Sequence, residues 1–260
     1  MLGTVKISFG LLGTVLFLTS CASAVPPSRL GDYVSTERRA GEDALTQIEQ
    51  RPLKAGLVLV SDTTQPDAAP NLPDEAFVRL GETLRLDISR SIPVMITDVL
   101  PADQIRPQPN GDWTQFADLG RQRGLDYLAV VVLSSTEQEY PLTLFLGWTT
   151  HSQPGLRRDN YSLLEFALLD LKNNVLLMQA EGRGWATLDR PTAPGIDQWY
   201  PAIYLRPQDP ERRIWPPTYE GAPNTLRVVS FDQAEKRLAL KLQNSYIGQL
   251  QAAMAEGPAS

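Results

Sequence analysis

The chain has 260 residues, with 24 Lys and Arg against 30 Asp and Glu and a formal net charge of −6. That length suits one sizeable domain with extensions or two small ones, and the acidic balance, with no basic face, gives no footing for a nucleic-acid partner. One histidine (His151) and one cysteine (Cys21) leave no zinc site with the usual ligand set, so no metal and no cofactor is expected.

The amino terminus carries Lys6 and then an apolar run over residues 7–18, interrupted only by Ser8, Gly10, Gly13 and Thr14. The run is short for a membrane-spanning helix, and residues 1–20 read as a signal peptide. It closes on Leu18-Thr19-Ser20-Cys21. Those four residues resemble the lipobox of bacterial lipoproteins: an aliphatic residue, two small ones and the cysteine that receives the lipid. The resemblance implies cleavage between Ser20 and Cys21 and acyl chains, palmitate among them, on Cys21. A lipid thioether also removes the liability of an odd thiol in an oxidising compartment. A second reading stays open, because Ala22-Ser23-Ala24 is an A-x-A pattern, and a cut after Ala24 discards Cys21 and frees a soluble protein. Lipoproteins of double-membrane bacteria that stay at the inner membrane often carry Asp after the cysteine, so Ala22 implies the outer membrane, facing the periplasm. Residues 1–20 hold one Lys and no acid, so the mature 240 residues carry 23 basic and 30 acidic groups, a net charge of −7. Residues 21–35, with Val25-Pro26-Pro27-Ser28, read as a tether.

Residues 36–255 read as a single domain and residues 256–260 as a tail. A helix is expected over residues 36–50. Gly56-Leu57-Val58-Leu59-Val60 is a continuous apolar run of the kind that suits a strand buried on both faces. Residues 74–90 follow as a helix, with Phe77, Leu80, Leu84 and Ile88 on one face and Pro73 at its start. Residues 93–99 are a second strand. Asp112 and Gln115 form a capping-box-like pair for the next helix, whose buried side is Trp113, Phe116 and Leu119. Gly124 suits the left-handed position that ends it. Residues 125–133 are the third strand.

The pattern then changes to a meander. Residues 142–148 alternate with period two, residues 151–160 read as a polar loop, and residues 161–171 and 175–188 are strands joined through an Asn173-Asn174 turn. Residues 191–224 hold eight prolines with Trp199, Tyr200, Tyr204, Trp215 and Tyr219 between them, and read as an insertion. Ser230 is expected to cap a helix over residues 230–250, with Gln233 three residues on. The order is therefore βαβα, an antiparallel meander and a carboxyl-terminal helix. It predicts an α/β fold in which helices cover a mixed sheet, with right-handed crossovers between the parallel strands.

Three stretches resemble a family of envelope lipoprotein domains that includes the curli-secretion lipoprotein CsgG, the peptidoglycan-synthase activator LpoB and the amino-terminal domain of TolB. Gly124-Leu125-Asp126-Tyr127-Leu128 resembles their entry into the third strand. Leu168-Leu169-Asp170-Leu171-Lys172-Asn173 resembles their strand-to-hairpin segment, with Asn174 where those proteins have glycine. The helix around residues 234–242 resembles their closing helix. The likeness spans roughly residues 55–250. It implies a non-catalytic factor that binds an envelope protein or self-associates, or a subunit of an oligomeric secretion or transport complex. A curli-type pore needs two amphipathic hairpins per subunit, and the meander supplies one candidate, residues 142–148 with 161–169.

Catalytic motifs are absent. The surroundings of His151 are a polar loop with no G-x-S-x-G elbow, and Gly182-Arg183-Gly184 lies late in a strand, marking a bulge or close packing. Asp62-Thr63-Thr64 follows the first strand, where α/β proteins often place ligands, and Asp62 and Asp126 are the acids an unrecognised envelope hydrolase would use. The reading is of a non-enzyme, attached to a membrane through Cys21, with Trp199, Tyr200, Tyr204, Trp215 and Tyr219 as candidate partner contacts. Proline limits the entropy lost on ordering such a surface, and Trp and Tyr supply contact area.

Overall fold

A computed structural model describes residues 25–35, 37, 39–41, 44–48, 52–102, 105–108, 111, 113–145, 152–192, 202–204, 213–214 and 220–255. Its strands form one mixed sheet. β1 (Leu53–Asp62) lies between β2 (Val94–Leu100) and β3 (Tyr127–Phe145) and is parallel to both. The crossovers are α3 (Asp74–Ser91) and α4 (Trp113–Arg123). β4 (Ser152–Asp170), β5 (Val175–Pro191) and the short β6 (Ala202–Tyr204) and β7 (Arg213–Ile214) continue the sheet in antiparallel fashion. α5 (Ala222–Ala255) closes the chain. Two short helices precede the sheet, α1 (Leu30–Tyr33) and α2 (Ala44–Gln47). This is the expected α/β class, a mixed sheet with helices and a carboxyl-terminal helix.

The apolar runs of β1 and β3 are continuous because both faces of these central strands are covered. On one face Leu57 and Leu59 of β1 and Val131 and Leu133 of β3 pack under Leu80, Leu84 and Ile88 of α3. Phe231, Ala234, Leu238 and Leu242 of α5 complete that layer. On the other face Val58, Val60, Val130 and Val132 pack against Phe116 of α4 and against Leu30, Tyr33 and Val34. α5 runs directly over β5, where Gly182 and Gly184 supply the clearance. A Cβ at Gly182 would strike the Ala234 carbonyl and the Leu238 amide, and one at Gly184 would strike the Ser230 carbonyl. The close-packing expectation for this pair therefore holds. β6 reaches only Thr187–Asp189 of β5, and α5 caps part of the remaining edge. The Trp185 amide donates to Gln233 Oε1 at 2.8 Å, and Arg237 donates to the Arg183 carbonyl at 2.7 Å. Those contacts occupy backbone groups that an open edge would offer to another strand.

Several boundaries differ from the sequence pattern. The strands expected over residues 125–133 and 142–148 are not separate: β3 runs unbroken for 19 residues from Tyr127 to Phe145, and residues 146–148 lie outside the described residues. Residues 151–160, expected as a loop, mostly belong to β4, also 19 residues long. Their polar side chains alternate across the sheet and find cross-strand partners, so polarity there does not signal a turn. The β4–β5 connection has four residues rather than two. Asn174 takes the left-handed conformation (φ 51°) and Asp170 accepts from the amides of Lys172 and Asn173. Gly124, at φ 64°, ends α4 as expected.

α5 starts eight residues before Ser230, so residues 222–224 of the proline-rich stretch are helical. Ser230 caps nothing. It is buried in mid-helix and donates to the Asn160 carbonyl at 3.3 Å. Gln115 pairs with the backbone of Arg106 on both sides of its amide, at 2.9 and 3.0 Å, and so holds a loop; Asp112 lies outside the described residues. The expected helix over residues 36–50 is not continuous, because Arg39 bridges Leu176 as extended chain.

The largest correction concerns the expected tether. Residues 25–35 are seated on the sheet, and Leu30, Tyr33 and Val34 are at most 2% exposed.

Candidate functional site

What holds this amino-terminal segment is a pair of buried acids. Glu165 sits in the middle of β4 in an otherwise apolar run, and it is 2% exposed. Its carboxylate accepts from Ser28 Oγ at 2.5 Å, from the Arg29 amide at 2.6 Å and from the Leu30 amide at 3.0 Å. Those amides open α1, where no intrahelical acceptor exists, so a carboxylate is the favoured partner. Asp62 ends β1. Its Oδ1 accepts from the amide and hydroxyl of Thr64, and its Oδ2 accepts from Arg29 Nε at 2.9 Å. Burial pushes the Asp62 carboxyl up, but the Thr64 donors and the Arg29 guanidinium outweigh it and hold it below the usual carboxylate value. Burial and the same carboxylate push the Tyr33 phenol well above its ordinary value. Arg29 also reaches Thr64 Oγ1 and Asp32.

A cleft of about 720 Å³ opens beyond the carboxyl ends of β1 and β2, lined by Tyr33, Thr64, Phe77, Asp98, Ile105 and Arg106 among others. This is the position where open α/β sheets commonly bind ligands. Several of its polar groups are engaged by neighbouring residues outside its lining. Ser61 donates to Asn71, Thr64 serves Asp62, and Glu82 pairs with Arg85. Asp62 and Asp126 cannot act as a carboxylate pair. Ala55 aligns with Tyr127 and Asp62 with Ser134, so the two acids lie at opposite ends of the β1–β3 ladder, on the order of 25 Å apart. Glycosidase-type acid pairs need roughly 5–9.5 Å.

A second cluster lies on the outer half of β3, β4 and β5. Arg157 grips Asp189 through two bonds of 2.7 and 2.9 Å. Asp159 accepts from Tyr140 Oη at 2.7 Å and from Thr187 Oγ1 at 2.5 Å. Tyr161 stacks on Trp185 with ring centroids 5.6 Å apart. Burial, then Asp159, push the Tyr140 phenol up to about 12. Arg158, on the opposite face, pairs with Glu139 at 2.8 Å. Sequence reasoning missed this cluster because it took residues 151–160 for a loop. The available signal was the period-two series Arg157, Asp159, Tyr161.

Of the expected site residues, Ser20, Cys21, Trp199, Tyr200, Trp215 and Tyr219 lie outside the described residues, as does His151. Tyr204 is in β6, paired with Thr187 of β5 and Arg213 of β7. Among the described residues no helix is long and apolar enough to cross a membrane, and no group of three or more His, Cys, Asp or Glu could hold a metal ion.

No family model matches the chain, and no curated protein matches it. Among solved structures it is similar to one provisionally named a neuraminyllactose-binding hemagglutinin homolog from Helicobacter pylori. The identity is 7%, the coverage 81% of this chain and 93% of that one, and the TM-score 0.41. It is also similar to a PelC dodecamer from Paraburkholderia phytofirmans, at 14% identity, 72% and 93% coverage and a TM-score of 0.24. A structure provisionally named a lipoprotein from Caulobacter crescentus is 12% identical, with 85% and 100% coverage and a TM-score of 0.25.

Proposed function

We propose that this chain is a lipid-anchored protein of the bacterial envelope that acts without catalysis, as a partner-binding or assembly factor. The observation that carries the reading is Leu18-Thr19-Ser20-Cys21, closing a signal segment whose only candidate acceptor is Cys21. Several acyl chains hold a protein to a bilayer at about 0.8 kcal/mol per buried methylene, with no spanning helix needed. Ala22 supports the outer membrane, facing the periplasm. The non-catalytic part is supported by the engagement of Asp62 with Arg29 and Thr64, which leaves that acid no free role. The resemblance of Gly124–Leu128 and Leu168–Asn173 to CsgG, LpoB and TolB-type domains supports assembly work, through a protein partner or self-association.

The test begins with intact mass and membrane fractionation. The mature protein should start at an acylated Cys21, and Cys21→Ala should release it or block maturation. An unmodified terminus at Val25 refutes the anchor. For the partner, Trp199→Ala and Trp215→Ala in the anchored protein should weaken cross-linking to a stoichiometric partner or second copy while leaving the melting temperature unchanged. If both variants lower the melting temperature strongly and still cross-link once folded, residues 191–224 are cladding and the docking role fails.

A further inference from the structure

We infer that the face carrying residues 25–31 lies against the bilayer, held there by a four-residue leash. The inference rests on the anchored reading and goes beyond it by assigning the membrane-facing surface. Cys21 and Val25 are four residues apart, which spans at most about 14 Å in any conformation. A longer leash is not available, because the chain is already committed to the sheet by Ser28. Ser28, Arg29 and Leu30 are gripped by Glu165, and Arg29 by Asp62. The domain therefore cannot roll to present another side.

The surface around this seat suits a lipid headgroup layer. Pro27, Ser28, Gly31, Thr63 and Thr64 are exposed and uncharged. Arg29 is matched by Asp62 and by Asp32, the latter at 2.7 Å. α3 and α5 cover the opposite face of the sheet. Lys241, exposed on α5, then stands roughly 20 Å farther from the bilayer, a sheet and a helix layer away.

The test uses the full-length protein, extracted from membranes and reconstituted into vesicles of phosphatidylethanolamine and phosphatidylglycerol with nitroxide on a fraction of the headgroups. Cys21 is the only cysteine and is blocked by lipid, so an introduced cysteine takes a fluorophore alone. Gly31→Cys and Lys241→Cys serve as near and far sites, and a Cβ at Gly31 meets nothing within 4 Å. Fluorescence at position 31 should be quenched severalfold more than at position 241. A Gly/Ser insertion of about twenty residues between Ala24 and Val25 lengthens the reach severalfold and should erase that difference. Equal quenching at the two sites, in protein that floats with the vesicles and carries acyl chains by mass, overturns the orientation and leaves the anchor standing. Protein that does not float and shows no acyl mass overturns the anchored reading, and the orientation falls with it.

Discussion

Glu165→Ala should detach residues 25–35 from the sheet while leaving the sheet folded. Ordering the nine residues 26–34 costs about 9–18 kcal/mol at 1–2 kcal/mol each. Burying Leu30, Tyr33 and Val34 returns about 5–9 kcal/mol, which is not enough. The remainder comes from three bonds to Glu165 and one from Arg29 to Asp62, worth about 1.5–3 kcal/mol each where the acceptor is charged. Taken at matching ends of these ranges, the segment is bound by about 2–3 kcal/mol. Losing three of the four bonds exceeds that margin, so the segment leaves. The loss in global stability is capped near the same value, because the freed amides reach water instead of staying buried and unpaired. Trypsin reads this directly, since the Arg29–Leu30 bond is shielded while the segment is seated. Cleavage there should accelerate strongly in the variant, and the amides of residues 30–34 should exchange rapidly while those of β3 stay protected. Glu165→Gln keeps one oxygen for the two amides and should give intermediate protection. Unchanged cleavage and exchange in Glu165→Ala would refute the reasoning and leave apolar packing as the sole hold.

Gly184→Ala should destabilise by about 1–3 kcal/mol or more, the cost of overpacking, because the new methyl strikes the Ser230 carbonyl of α5; a melting temperature within error of wild type would show that α5 shifts freely. Glu235 is 2% exposed on α5 with Oε1 unpartnered, and burial, then the facing Asp87 carboxyl of α3 with Asp232, raise it from 4.5 to about 8 against the opposing pull of Lys236. The folded state holds that proton longer than the unfolded state does, so this contribution is complete below pH about 4.5 and is lost as pH rises towards about 8, at up to about 1.4 kcal/mol per unit. Glu235→Gln should remove that slope in urea unfolding curves across this window, and an unaltered slope would assign it to other groups.

The legible parts of the fold were those where one local rule acts alone. Leu57 to Val60 read as a two-sided strand because β1 lies inside the sheet, between β2 and β3, with both faces covered. The spacing of Leu80, Leu84 and Ile88 read as a helix face because α3 buries that face and no other. Gly124 read as a helix stop because its φ of 64° suits glycine. The misread parts depend on residues far away in sequence. Arg157 looks solvated until Asp189 is placed beside it, 32 positions on. Ser230 has the local signature of a cap, yet its hydroxyl serves Asn160 of β4, and the helix runs through it. Val25-Pro26-Pro27-Ser28 has the composition of a leash, and no nearby residue suggests that its acceptor lies more than a hundred positions downstream.

One sequence signal does point to that acceptor. Glu165 interrupts Leu163-Leu164-Glu165-Phe166-Ala167-Leu168-Leu169, a run that only a strand covered on both faces would carry. A carboxylate at such a place loses its water, and that loss must be offset by donors. The neighbouring strands supply none, since Val132 of β3 and Glu181 of β5 flank it. Donors must then come from a segment laid over the face, with backbone amides free to point at it. A helix start provides such amides, and α1 is the short helix that meets the requirement. An acid set within an apolar strand thus implies a covering segment by its position in the run alone. Here that segment is residues 25–34, which begins four positions after Cys21, the cysteine proposed above to carry the lipid.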